Sequence, residues 1–161
     1  MNCEKALKFI DQNKDSLLKD LQTLIHQPSI SAKNEGIEEC SVLVSKILKK
    51  YRIKSEILQL GKNAAPLVYG EVKSKNNPNV TLLFYNHYDV QPVEPLELWD
   101  DPPFSGKIIG NKIFGRGASD DKGELITRIK AVESYLKTYG DVPCNVKFVI
   151  EGEEENGSEN I

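Results

Sequence analysis

The run at residues 80–85, Val-Thr-Leu-Leu-Phe-Tyr, leads straight into His87 and Asp89. It shows no clear period-two alternation, so it predicts a strand covered on both faces, as in a parallel sheet enclosed by helices. A second largely apolar run, 145–150, leads in the same way into Glu151-Gly-Glu-Glu-Glu155-Asn-Gly-Ser158. Between them Leu125, Ile129, Val132 and Leu136 recur at helical spacing from Lys122 to about Tyr139, and Gly140 supplies a C-terminal cap. Strand, helix and strand in that order argue an α/β fold, a mostly parallel sheet flanked by helices. In open sheets of this kind ligands bind beyond the carboxyl ends of the strands, which is where these polar clusters fall.

Upstream, Ile10, Leu17, Leu21 and Leu24 trace one helical stripe over residues 4–27, closed by Pro28. His26, at the end of that stripe, suits the negative end of the helix dipole. Asn34 is expected to cap a second helix, with Glu35, Glu38 and Glu39 in its first turn and Cys40, Val44, Ile47 and Leu48 in its buried stripe. Strands are expected over 55–60 and 66–72. Residues 91–104 contain Pro92, Pro95, Pro102 and Pro103, with Trp99 and Phe104 placed to pin an ordered loop. Residues 107–114 read as a hairpin turning at Gly110-Asn111.

A chain of 161 residues with 39% apolar and 28% charged content suits one compact domain with a sizeable core. A formal charge of -3 gives no electrostatic reason to expect nucleic acid or an anionic membrane as partner. The apolar stretches are a few residues long, against the ~20 needed to span a bilayer. The charged amino terminus lacks a secretory apolar core. Cys3, Cys40 and Cys144 are widely spaced and form no CxxC pair, so they read as reduced thiols of a cytoplasmic protein.

The chemistry concentrates in three clusters. In Gly115-Arg-Gly-Ala-Ser-Asp120-Asp121-Lys-Gly123 two glycines allow a sharp turn and the carboxylates are expected in the first turn of the helix. Asp120 stands where a dinucleotide loop has its third glycine, and a carboxylate there repels phosphate. His87 and Asp89 point the same way if the strand stays extended, and Glu154 and Glu155 are expected to diverge at a strand end. Each cluster alone has a plain reading: a helix cap, an exposed histidine, a solvated acidic turn. A sheet of the expected type brings all three to one rim. Imidazole and carboxylate without thiolate suit Zn²⁺, Mn²⁺ or Co²⁺ in a hydrolytic site, and a cation relieves the repulsion among the acids.

The set His87-Tyr-Asp89-Val-Gln-Pro, Gly115-Arg-Gly-Ala-Ser-Asp120-Asp-Lys-Gly and Glu154-Glu155-Asn-Gly-Ser resembles the M20 metallopeptidase family. That family includes carnosinase-like dipeptidases, aminoacylase-1, and the acetylornithine and succinyl-diaminopimelate deacylases. The Trp99 segment looks most like the dipeptidase branch. The resemblance implies a two-metal hydrolase, with Zn first and Mn or Co as alternatives. In it His87, Asp120 and Glu155 are metal ligands, Asp120 bridges the two ions, Glu154 is the general base and Asp89 orients His87. It implies a cis Asp120–Asp121 peptide and a dipeptide or small-peptide substrate, with an N-acyl amino acid as the alternative.

It further implies that residues 1–161 are an amino-terminal part of a catalytic domain. The remaining catalytic segment and the lid domain, through which members form homodimers, are then absent. Each ion is expected to be one protein ligand short, with weak metal affinity and little turnover. An inert folded remnant is the reading from a different class. No nucleic-acid or membrane partner is expected.

Overall fold

The computed structural model describes residues 3–161. At its centre lies a sheet ordered β1 (Lys54–Leu58), β2 (Leu67–Val72), β6 (Asn145–Glu151), β3 (Thr81–His87). The α/β class holds, but the expected mostly parallel sheet is corrected to a mixed one. Only β3 and β6 pair in parallel; β1 with β2 and β2 with β6 are antiparallel. A short connection between β1 and β2 leaves room only for antiparallel return, whereas α4 (Lys122–Tyr139) supplies the long crossover a parallel pair needs. In the β3–β6 register His87 stands opposite Glu151, so both strands deliver their carboxyl ends to one rim.

The helical layer comprises α1 (Glu4–Gln12), α2 (Lys14–Ile25), α3 (Ile37–Lys50) and α4. The single helix expected over 4–27 is corrected to two. The Asn13 side-chain amide donates to Phe9 O at 2.7 Å, competing with the helical ladder, and the backbone leaves the helical region there. Asn34 does not cap α3. It adopts φ 50 and closes a 3₁₀ turn at Ser31–Lys33, while Gly36 at φ 69 precedes α3. A side chain at Gly36 would overlap the Pro28 carbonyl, which fixes glycine at that entry. The strand boundaries expected at 55–60, 66–72, 80–85 and 145–150 shift by one or two residues.

The core lies between this layer and one sheet face, where Leu24, Val44, Leu48, Ile129, Val68 and Phe148 are buried together. A buried ammonium, Lys130, ties the helices together by hydrogen bonds to Tyr51 Oη at 2.7 Å and Glu133 Oε2 at 2.9 Å, beside Asp20. Burial opposes ionisation of Asp20, yet bonds from Lys50, Tyr51 and Lys130 hold its carboxyl below the ordinary aspartate value. A second cluster, Ile30, Val90 and Val93 with Trp99 and Phe104, orders the proline-rich loop. There Trp99 Nε1 donates to Val93 O at 2.8 Å. The hairpin β4 (Lys107–Ile109) and β5 (Lys112–Phe114) forms as expected, with Gly110 at φ 60 in its turn.

The expectation that 80–85 is covered on both faces is overturned. Leu82, Leu83 and Tyr85 are exposed, because β3 ends the sheet order and pairs only with β6. An uncharged edge strand is a template for pairing, although Arg128 already meets the Tyr85 carbonyl at 2.6 Å. The chain is therefore expected to self-associate in a concentration-dependent way by sedimentation velocity, and Leu83→Lys to suppress it. A wild-type monomer at every concentration would contradict this.

Candidate metal centre

β3 delivers His87, 6% exposed, to the rim. The next residue, Tyr88, is fully buried; its N–H donates to Glu151 O at 2.8 Å and its hydroxyl to Pro66 O at 2.7 Å. Gly152 lies against that hydroxyl, where any side chain would overlap it, so the chain leaving β6 passes directly under Tyr88. This close passage brings Glu154 and Glu155 back to Asp89. The fully buried Asp89 carboxylate accepts the Glu154 N–H at 3.2 Å and the Glu155 N–H at 3.0 Å. One carboxylate thus staples the third cluster to the first.

His87 is held on both ring nitrogens. Nδ1 lies 3.1 Å from the Asp89 carbonyl oxygen and 3.3 Å from its Oδ1, and Nε2 lies 2.9 Å from Asp120 Oδ1. The Nδ1 contacts favour the tautomer with its proton there, leaving the Nε2 lone pair for a cation. Burial opposes charging the ring, but the hydrogen bond and charge of Asp89, then Asp120 and Asp121, outweigh it and raise the pKa to about 9. Burial would raise Asp89, yet bonds from His87 and the Glu155 N–H keep it below the usual aspartate value.

Ligand atoms of His87, Asp120 and Glu155 all lie within 4.8 Å of one another. This nitrogen and oxygen donor set, with no thiolate in it, fits a divalent ion of the Zn²⁺, Mn²⁺ or Co²⁺ type. Glu154 Oε2 sits 3.8 Å from His87 Nε2 on a side chain 42% exposed, outside that triad but beside it. Glu155 Oε2 also accepts a hydrogen bond from Gln91 Nε2 at 2.7 Å.

The residues singled out in the sequence therefore converge, with two local corrections. Asp120 and Asp121 do not occupy the first turn of α4, which begins at Lys122. Glu154 and Glu155 sit on a 3₁₀ turn, Glu154–Asn156, rather than at an alternating strand end. The Asp120–Asp121 peptide is cis, as the resemblance implied.

Sequence reasoning assigned no role to Asn86, Gln91 or Lys122, and gave Asp121 only a place at a helix start. Asp121 Oδ2 accepts the Asn86 side-chain amide at 2.7 Å and the His87 N–H at 3.0 Å. Burial pushes its carboxyl above the ordinary aspartate value. Lys122, fully buried, donates to Leu24 O at 3.1 Å and Gln27 O at 2.7 Å. The doublet Asp120-Asp121 was the available signal, since a second carboxylate beside a ligand needs a partner of its own.

A mixed α/β sheet carrying an imidazole–carboxylate triad at its rim, with one further carboxylate alongside, has the make-up of a metallohydrolase catalytic domain. Residues 83–161 match Peptidase family M20/M25/M40. The Cys-Gly metallodipeptidase dug1 of Schizosaccharomyces pombe is 35% identical over 176 residues, covering 100% of this chain and 36% of that protein. The succinyl-diaminopimelate desuccinylase of Blochmanniella pennsylvanica is 32% identical over 149 residues, covering 92% of this chain and 38% of that protein. The crystal structure of human carnosine dipeptidase 1 superposes with a TM-score of 0.88 at 27% identity, covering 98% of this chain and 36% of that one. The chain belongs to the M20 peptidase family, and it spans little more than a third of the length of these relatives.

Proposed function

We propose that this chain is the amino-terminal part of a catalytic domain that hydrolyses the peptide bond of dipeptides or small peptides with two divalent metal ions, Zn²⁺ first and Mn²⁺ or Co²⁺ as alternatives. The observation that carries the reading is the convergence of His87, Asp120 and Glu155 within 4.8 Å, with Glu154 beside them. In this scheme His87, Asp120 and Glu155 would hold the ions, His87 and Glu155 one each and Asp120 both. Bound there, the ions would polarise the scissile carbonyl and ease the ionisation of water. Glu154, partly exposed and anchored through its backbone, with its N–H on Asp89 and its carbonyl accepting from Gly157 N–H, takes a proton from the attacking water at Oε2 and delivers it to the leaving nitrogen. Asp89 keeps the His87 proton on Nδ1.

The dipeptide substrate class is supported by the fission-yeast Cys-Gly metallodipeptidase and by the carnosine dipeptidase structure. A second reading, an N-acyl-amino-acid deacylase, is supported by the desuccinylase relative. No helix among the described residues is long and apolar enough to cross a membrane. A cytoplasmic location is part of the proposal. A homodimer built through the lid domain belongs to the same proposal. The deciding experiment is a hydrolysis panel, Cys-Gly and β-Ala-His against N-acetyl and N-succinyl amino acids, run on the longer protein with and without chelator. The proposal expects chelator-sensitive cleavage of the dipeptides. Cleavage of the N-acyl substrates alone selects the second reading, and no cleavage of either contradicts both.

The pH behaviour follows from His87. A histidine raised from 6.5 to about 9 stabilises the metal-free fold fully below the unfolded value and loses that contribution as pH climbs through about 9. Its imidazolium then serves as the cation among the acids, and a metal ion must displace that proton. Apparent Zn²⁺ affinity is therefore expected to rise with pH up to about 9, with close to one proton released per His87 site. Calorimetric titrations at several pH values, in buffers of different ionisation enthalpy, read both quantities; affinity that does not change with pH contradicts the assignment.

A further inference from the structure

We infer that Asp121 is a positioning residue, which locks His87 and Asp120 into one unit by taking two donors from the end of β3 on a single carboxylate oxygen. The donors come from consecutive residues: the Asn86 side-chain amide at 2.7 Å and the His87 backbone N–H at 3.0 Å, both to Oδ2. The residue before Asp121 places its own Oδ1 2.9 Å from His87 Nε2. Two adjacent residues at the head of α4 thus grip two adjacent residues at the tail of β3, one pair through the imidazole and one beside it.

The alternative role for an aspartate at this place is a helix cap. The side chain of Asp121 makes no capping hydrogen bond to α4, although it occupies the flanking position. Its carboxylate is committed to β3 instead, and both residues are shut away from water, Asn86 at 1% and Asp121 at 7% exposure. Asn86 Oδ1 has no hydrogen-bond partner, so the amide of a buried strand residue is anchored on this side by Nδ2 alone. Loss of the Asp121 acceptor would leave the buried amide N–H unmet as well, which is costly.

The consequence concerns the donor triad, and it rests on the metal reading above. His87 has its ring direction set by Asp89 and its backbone set by Asp121. Release of the second constraint lets the start of α4 drift relative to β3, which spreads Nε2 and the Asp120 carboxylate apart. Residues that orient metal ligands typically cost ~10–100-fold in metal affinity when removed.

The test is a Co²⁺ titration of the 161-residue chain, followed by its visible absorption band, at a temperature where circular dichroism shows each variant folded. Asp121→Ala is expected to weaken Co²⁺ binding ~10–100-fold and to shift the band at saturation. Asp121→Asn, whose carbonyl oxygen can take both donors, is expected to restore wild-type affinity and band. Asn86→Ala, which removes one of the donors, falls between, and decides the matter if Asp121→Ala does not fold. A residue with a merely structural role lowers the melting temperature but leaves the Kd and band of the folded protein unchanged. That result in Asp121→Ala, or in Asn86→Ala standing in for it, overturns the inference. So does an Asp121→Asn as weak as Asp121→Ala, which would assign the effect to charge alone. A wild-type chain that binds no Co²⁺ even in the millimolar range, where a site one protein ligand short would still load, removes the metal reading and this inference together.

Discussion

Replacing Glu154 by glutamine is expected to lower kcat for dipeptide hydrolysis by ~10²–10⁴-fold, the range for losing a general acid–base group. Metal binding is expected to survive the change. Glu154 stands outside the triad whose donors lie within 4.8 Å, and its backbone N–H, which the substitution keeps, is what Asp89 holds. Its side chain is 42% exposed and its ionic contact with His87 Nε2 is long at 3.8 Å, so the fold is expected to lose little. Glu155→Gln provides the contrast. That residue belongs to the triad, and its loss is expected to weaken Zn²⁺ binding as well as turnover. The pair is read by steady-state kinetics on the catalytic domain proposed above and by Zn²⁺ titration. A Glu154→Gln variant that loses metal as Glu155→Gln does would make Glu154 a ligand rather than the base, and one with unchanged kcat would remove it from the chemistry.

The second large effect is on stability. Lys122 is fully buried at the head of α4, and its ammonium bonds the carbonyls of Leu24 and Gln27 where α2 ends. Burial pulls its pKa below that of an ordinary lysine, but the ammonium satisfies carbonyls that have no helical partner at that end. Lys122→Ala leaves those acceptors unmet and opens a cavity along the missing stem. A loss of about 2–5 kcal/mol is expected by chemical denaturation. Lys122→Met keeps most of the stem and separates the two contributions, retaining the packing while losing the hydrogen bonds. Each kcal/mol corresponds to roughly 2–4 °C in melting temperature for a domain of this size. A Lys122→Ala variant as stable as wild type would show that the bonds to Leu24 and Gln27 add nothing to the joint between α2 and α4.

Much of the rim was legible because its signals are local. An apolar run that stops at His87, a helical stripe from Lys122 with Gly140 behind it, and the Gly110-Asn111 turn each declare themselves within a single element and its cap. The antiparallel pairing of β2 with β6 carries no such signal, since the two strands lie some seventy residues apart and their pairing depends on the whole sheet. The exposure of β3 was hidden for the same reason, because apolar composition does not reveal that a strand ends a sheet. The break at Asn13 came from a side chain competing for backbone, and the entry at Gly36 from one positive φ. Convergence of His87, Asp120 and Glu155 was legible, and so was Asp89 behind His87, whereas the other buried side chains around them were not. Asn86, Asp121 and Lys122 show their function only through which atoms they meet.

The central claim is that His87, Asp120 and Glu155 share a divalent ion, and anomalous scattering from crystals of the chain soaked in Zn²⁺ tests it most directly. The account predicts a peak at ~2.0–2.2 Å from His87 Nε2 and from a carboxylate oxygen of Asp120, with Glu155 in reach of the same cluster. A crystal with Zn²⁺ bound elsewhere and none beside His87 would contradict it.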